Sequence, residues 1–327
     1  SYYAPFEKIA DPACIIYLHG HASCQLEGTF LVNIFCPAGV SVLCFDSCAC
    51  GHSEGEYISL GYFESDDVSS AIALLRVQYG IHRIALWGRS MGAATTFFVL
   101  DNEPQIAATI ADSPFCSLPQ LIQDLGLKWN IPGCLTSTGV KIVSKTVKQK
   151  ANFDIYEVEP IKHAPKCKTP LMIIHGEADS FIPYHHSELL YAAYGCEEKQ
   201  LRIVPHAEHN SERPIEVIVE AIMFVANILD APVVVDDIHQ IMSNAYRHFE
   251  NAADMIHHMM EEEEEPRNYP SNNRNGNNNN NRNTNNGNNR NTNTSNNNNN
   301  HNANTPNNNT NHNANTPNNN TNANNNN

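Results

Sequence analysis

Long apolar runs are missing from this chain of 327 residues. No stretch of about 18 consecutive apolar residues occurs, which excludes a bilayer-spanning helix. Basic side chains are scarce: Lys and Arg total 20 against 35 Asp and Glu, a net charge of −15. With no basic face for a phosphate backbone to follow, nucleic acid is not an expected partner. Paired Cys-x-x-Cys knuckles are missing as well. The 10 cysteines are irregularly spaced in apolar runs such as Cys14-Ile15-Ile16 and Leu43-Cys44-Phe45. A chain of this length needs no disulfide staples, so they read as buried, reduced thiols of a cytoplasmic protein. Cys44, Cys48, Cys50 and His52 could be drawn as a metal site, but without the knuckle spacing no metal or cofactor is expected. A starting methionine is missing too. The chain opens on Ser1, so we expect a processed start or a longer parent sequence, which leaves an upstream targeting segment open.

What is present centres on residues 84–93, IALWGRSMGA. A short apolar run, Ile84 to Trp87, ends in Gly88-Arg89-Ser90-Met91-Gly92, and an apolar series of helix length follows from Ala93 to Leu100. Strand, sharp turn and helix with a serine at the apex make a nucleophile elbow, Gly-x-Ser-x-Gly. The apex serine sits in a strained backbone conformation, so its neighbours two before and two after must be nearly free of side chain. The helix behind it points unpaired N–H groups toward whatever the serine attacks.

Around this motif, apolar strands alternate with helices. Ala13–Leu18 and Val40–Phe45 read as strands, Leu26–Phe35 and Glu64–Tyr79 as helices. Past the elbow helix come strands at Ile106–Ala111, Leu171–Ile174 and Leu201–Val204, with helices at His186–Tyr194 and Ile215–Leu229. Nearly uniform apolar strands mean a mostly parallel, doubly wound α/β sheet covered on both faces, with binding residues at the carboxyl ends of its strands. The alternation breaks over residues 117–168, where a helical insertion could act as a lid or simply connect. Residues 1–230 thus read as one domain. Residues 231–265 read as a helical extension ending in five glutamates, Glu261 to Glu265. From Pro266 to Asn327 the chain is mostly asparagine, with a repeat His301–Thr310 recurring from His312. Lacking apolar residues to offset chain entropy, it should be disordered.

A serine hydroxyl becomes a nucleophile when a histidine takes its proton and a carboxylate orients that histidine. Downstream of Ser90, two candidate loops follow predicted strands. One, His175-Gly176-Glu177-Ala178-Asp179, offers Asp179 as the acid. The next, Pro205-His206-Ala207-Glu208-His209, offers His209 as the base. Asp112, also at a strand end, competes with Asp179, and His206 competes with His209. The glycine and proline framing of the Asp179 loop favours Asp179. His19 reads as packed near the site, and Asp46 as a binder of loop amides. An oxyanion would need two backbone donors: Met91 N–H, and one from the loop after the first strand, assigned to His21 with Ala22 as the runner-up.

Six segments carry a family resemblance: YLHGHAS (17–23), FDSCACGHSEGEYISLG (45–61), LWGRSMGAA (86–94), ADSPF (111–115), IIHGEADSFIPYHHSE (173–188) and the stretch around His209-Asn210. Through them the chain resembles a protist-type α/β-hydrolase. It is similar to the serine peptidase S9/S33-like group and to the α/β-hydrolase-domain esterases and depalmitoylases. The resemblance spans about Cys14 to Leu229 and implies Ser90 as nucleophile, Asp179 as acid and His209 as base. It departs from the family at His21, where relatives often have Asn, and at the start, where an antiparallel hairpin normally precedes the first strand. What is implied is a serine hydrolase of an acyl ester, thioester or amide, acting on a small acyl or peptide substrate without a cofactor. Peripheral membrane contact is compatible with that reading. A non-catalytic interaction protein on the same fold is the alternative.

Overall fold

Strands that are apolar at every position can persist only if both sheet faces are covered. The computed structural model, which describes residues 1–5 and 9–242, shows that cover. In chain order the elements are β1 (Tyr2–Tyr3), β2 (Ala13–Leu18), α1 (Val32–Phe35), β3 (Val40–Cys44), α2 (Glu64–Tyr79), β4 (Arg83–Arg89), α3 (Met91–Asn102) and β5 (Ala108–Asp112). They continue as α4 (Leu118–Lys128), α5 (Gly133–Ala151), α6 (Pro160–His163), β6 (Leu171–Gly176), α7 (His185–Ala193), β7 (Lys199–Val204) and α8 (Ile215–Ile228).

The seven strands form one sheet in the order β1-β3-β2-β4-β5-β6-β7. All neighbours are parallel except β1, which pairs antiparallel with β3 at the edge through Tyr2 opposite Leu43. The expected preceding antiparallel element is therefore represented by this short edge strand.

Side-chain alternation along each strand feeds two separate cores. Ile15, Tyr17, Val42, Trp87, Ile110 and Ile174 face one side, where α8 covers them with Ala221, Ile222 and Val225. Cys14, Ile16, Leu86, Ala111 and Ile173 face the other, against Val68, Ile72 and Leu75 of α2 and Phe97 and Leu100 of α3. Each such fully buried aliphatic or aromatic side chain contributes about 1.5–3 kcal/mol. The predicted helix over 26–35 is 3-10 from Gln25 to Leu31 before it becomes α1.

From the adjacent strands β2 and β4 the chain runs on in opposite directions, to β3 on one side and to β5 on the other. The carboxyl ends of β2 and β4 flank that switch point, the place in an open α/β sheet where a crevice forms. The helical insertion over 117–168 is observed as α4, α5 and α6, with its own small core of Phe115, Leu121, Val140, Phe153 and Ile155. Residues 235–242 are helical, with Ile238 buried. The remainder of the predicted C-terminal extension, its glutamate run and the asparagine-rich stretch lie outside the described residues. No helix among the described residues is long and apolar enough to cross a membrane.

Candidate active site

Ser90 stands between the last residue of β4 and the first of α3 with φ 53° and ψ −113°. A non-glycine residue pays about 1–3 kcal/mol for such a backbone. Part of the compensation is visible: Ser90 N donates to Asp112 O at 2.7 Å. The flanking glycines serve close approach rather than unusual dihedrals, since neither has positive φ. A Cβ on Gly88 would run into the Gly92 carbonyl, and one on Gly92 into the Leu18 carbonyl of β2. The elbow thus presses α3 against the neighbouring strand, and only hydrogen fits at either position.

Residues 119 positions apart in the chain meet here. His209 Nε2 lies 3.1 Å from Ser90 Oγ, and His209 Nδ1 lies 2.6 Å from Asp179 Oδ2. Asp179 is ionised, so Nδ1 carries the proton and donates to it. That leaves the Nε2 lone pair to accept from the serine hydroxyl. Ser90, Asp179 and His209 are all buried, at 4%, 5% and 9% exposure.

The Asp179 carboxylate is held from several sides. Its Oδ1 accepts from Phe181 N at 2.9 Å and Ile182 N at 2.7 Å. His175 Nε2 approaches Oδ2 to 3.4 Å while donating to Ile182 O at 2.8 Å. Burial pushes this carboxyl upward. The bonds from His175 and His209, the closeness of the His209 ring and the Ile182 amide together outweigh burial and hold it well below the usual carboxylate range.

The competing candidates are placed elsewhere. Asp112 Oδ1 is bound by Arg213 through Nε at 3.1 Å and Nη2 at 2.9 Å, a buried pair that also includes Ser113 Oγ. Arg213 further donates to Glu208 O and Ser211 O, so the pair staples the His209 loop to the end of β5. His206 is exposed with φ 61°. His19 is buried, donating Nδ1–H to Gly20 O at 2.7 Å and accepting from Ser47 N at 3.1 Å. Asp46 accepts from Gln25 N and His52 N, which outweighs burial and lowers its pKa. Cys44, Cys48, Cys50 and His52 do not converge as metal ligands, and every cysteine whose side chain is described is a free thiol.

A cavity of about 440 Å³ opens over Ser90, with Gly20, His21, Arg89, Phe181 and His209 in its wall. Met91 opens α3, so its N–H has no carbonyl one turn earlier to bond, and His21 N belongs to the facing loop. The His21 ring stacks on Phe181 at 6.3 Å, and Phe181 leans on His209 at 5.2 Å. Burial, and then the nearby His209, lower the His21 pKa. None of the residues lining this cavity comes from the 117–168 insertion. Instead α4 borders the Asp179 loop, where Lys128 Nζ donates to Ser180 O at 2.8 Å.

Arg89, the unspecified position between Gly88 and Ser90 in the motif, ties three loops together. Its Nη1 bonds Glu27 Oε1 at 2.7 Å, and its Nη2 reaches Asn210 Oδ1 at 2.8 Å and His209 O at 3.3 Å. Glu27 in turn accepts from Gly20 N at 2.9 Å, next to His21. Nothing local marked Glu27, Asn210 or Arg213 for these roles, because the Arg89 and Asp112 side chains they pair with are 62 to 121 residues away.

Comparison with known proteins agrees with this architecture. The protein YqkD of Bacillus subtilis (strain 168) is 30% identical over 203 residues, 61% of this chain and 65% of that protein. The lysophosphatidylserine lipase ABHD12 of Mus musculus is 24% identical over 198 residues, 56% of this chain and 45% of that protein. The chain therefore spans less than two thirds of either curated relative. Acetyl xylan esterase 1 from Thermoanaerobacterium sp. JW/SL YS485 superimposes with a TM-score of 0.54 at 17% identity, covering 69% of this chain and 78% of that one, and so shares the fold. The family model of the prolyl oligopeptidase family matches residues 57–230. That match covers more than half of the chain, from before the serine elbow to the end of α8, and with the seven-stranded sheet it makes the protein an α/β-hydrolase of the prolyl oligopeptidase family.

Proposed function

We propose that the chain is a serine hydrolase that cleaves an acyl ester, thioester or amide through an acyl-enzyme. Ser90 attacks the carbonyl carbon, and His209 takes its proton and returns it to the leaving group. Asp179 holds the imidazole and stabilises its charged form. The Met91 and His21 amides receive the oxyanion, and water then repeats the sequence to release the acid. The observation that carries this reading is the continuous Ser90–His209–Asp179 relay at 3.1 and 2.6 Å. A retained strain at Ser90 supports it against a purely structural use of the fold, since an unstrained turn would be the more stable choice. The substrate is a small acyl compound or peptide, and a cavity of about 440 Å³ suits a short chain or a protruding end. The free thiols support a cytoplasmic location.

The test is covalent labelling of the full chain with a fluorophosphonate probe. Stoichiometric labelling at Ser90, lost in Ser90→Ala, is expected. A folded protein that takes up no probe, or a Ser90→Ala variant that labels equally, would overturn the reading.

A further inference from the structure

The first turn of α7 carries two successive histidines, His185 and His186, that the proposed chemistry does not use. Asp124 of α4 reaches both: its Oδ2 lies 3.1 Å from Nε2 of His185 and 3.1 Å from Nε2 of His186. At that separation an N–H aimed at the carboxylate would make an ordinary hydrogen bond. Neither contact has that direction. Asp124 Oδ2 and His186 Nε2 are both shut off from water without a hydrogen-bond partner, and the His186 side chain has no exposed surface. Buried polar atoms of native proteins have partners. A cation between them would give both atoms a partner at once.

The donor set identifies the cation. Two imidazoles and one carboxylate suit zinc, whereas magnesium and calcium prefer all-oxygen shells. Ligand atoms bonded to tetrahedral zinc at about 2.0–2.1 Å stand about 3.3 Å apart, close to the 3.1 Å contacts of Asp124. The three ligand atoms all lie within 4.8 Å of one another.

The surroundings of His186 match. Its Nδ1 lies 3.0 Å from Cys116 Sγ. The thiol S–H points away from His186, to Gln120 Oε1 at 3.6 Å. Sγ can therefore accept from Nδ1–H, the tautomer that frees Nε2 for a metal. The competing tautomer has Cys116 N–H donate to Nδ1 at 3.3 Å, and it leaves the Nε2–H without a hydrogen-bond partner. Gln120 Nε2 makes a 3.4 Å contact to His185 Nε2 that a metal bond would replace.

We propose that Asp124, His185 and His186 form a zinc site joining α4 to α7. Its fourth position takes water on the side where His185 and Asp124 meet solvent. The metal braces the insertion against the Asp179 loop, which Lys128 already contacts. This assignment does not depend on whether Ser90 turns over.

The experiment uses the purified full chain, stripped with a chelator and titrated with zinc against a chromophoric competitor. Cobalt substitution serves as an optical readout of four-coordinate geometry. One tight equivalent is expected, together with a zinc-dependent rise in Tm and intense cobalt d–d bands. His185→Ala and Asp124→Asn should each weaken binding at least tenfold and lose the bands. Because His185 is partly exposed, the metal-free His185→Ala protein should melt like metal-free wild type. A His301→Ala/His312→Ala variant should bind as wild type does. Absence of a tight equivalent, no rise in Tm, or equal affinity in His185→Ala and Asp124→Asn (an adventitious ion only) would overturn the proposal.

Discussion

Two carboxylates end strands or follow them near Ser90, and replacing each by its amide separates their work. In Asp179→Asn the side chain keeps its volume but presents an NH₂ group or an uncharged carbonyl to His209 Nδ1, 2.6 Å away. The imidazole then loses the anion that offsets its charge when it takes the serine proton, and its tautomer is no longer dictated. The corresponding change in Ser-His-Asp hydrolases costs about 10⁴ in turnover, about 5.4 kcal/mol at about 1.36 kcal/mol per tenfold. In Asp112→Asn the Ser90, His209 and Asp179 side chains keep their own bonds, while Arg213, still holding Glu208 O and Ser211 O, is left buried with its Asp112 bonds weakened. Breaking a buried pair in this way costs about 3–5 kcal/mol of stability, which lowers Tm on the order of 10 °C for a domain of this size. The assays are the fluorophosphonate labelling rate at Ser90 and a thermal melt, run on both variants. We expect Asp179→Asn to stay folded but label slowly, and Asp112→Asn to be active and heat-labile. Labelling slowed less than tenfold in Asp179→Asn, or slowed equally in the two, would refute the assignment of Asp179 as the orienting acid.

Three further outcomes follow from the same contacts. Gly92→Ala should destabilise the fold by at least about 1–3 kcal/mol, read by chemical denaturation, because its methyl would strike the Leu18 carbonyl, which cannot rotate away. Arg89→Ala should lower the labelling rate by about ten- to a hundredfold with little change in Tm, since it unties Glu27, Asn210 and His209 O from one another. The third concerns pH. The Asp179 carboxyl is held below its ordinary value in the fold, so its stabilisation is complete above the unfolded pKa of about 4 and is lost as pH falls through the lowered folded value. The stability gap between wild type and Asp179→Asn should therefore be constant from about pH 5 to 8 and shrink below about pH 4, as urea melts would show.

Much of the molecule was legible along the chain because its signals are local. Apolar strands such as Cys14–Leu18 and Leu171–Ile174 carry their own burial, and the helix over Glu64–Tyr79 carries its own period. The Gly-x-Ser-x-Gly turn carries its own geometry. Chain order and strand ends were enough to select Ser90, Asp179 and His209, which the fold brings together. The need for glycine at 88 and 92 is legible there too, and the structure adds what the missing side chains make room for: backbone contact with β2 and within the elbow.

What only the tertiary structure decided were pairings across long sequence separations, which no local pattern encodes. Arg213 occupies Asp112 from 101 residues away, and that bond, not turn chemistry, removes Asp112 from contention as the acid. Arg89 and Glu27 meet because the sheet order sets β2 beside β4 at the switch point, and the loop after β7 brings Asn210 to the same guanidinium. The insertion could have covered the cavity or stood beside it. Packing of its core on Phe115 and Phe153 sets it beside the Asp179 loop and brings Asp124 to His185 and His186. Periodicity and turn chemistry are written residue by residue. The partner of a buried charge depends on which strands lie side by side, and that exists only once the sheet has formed.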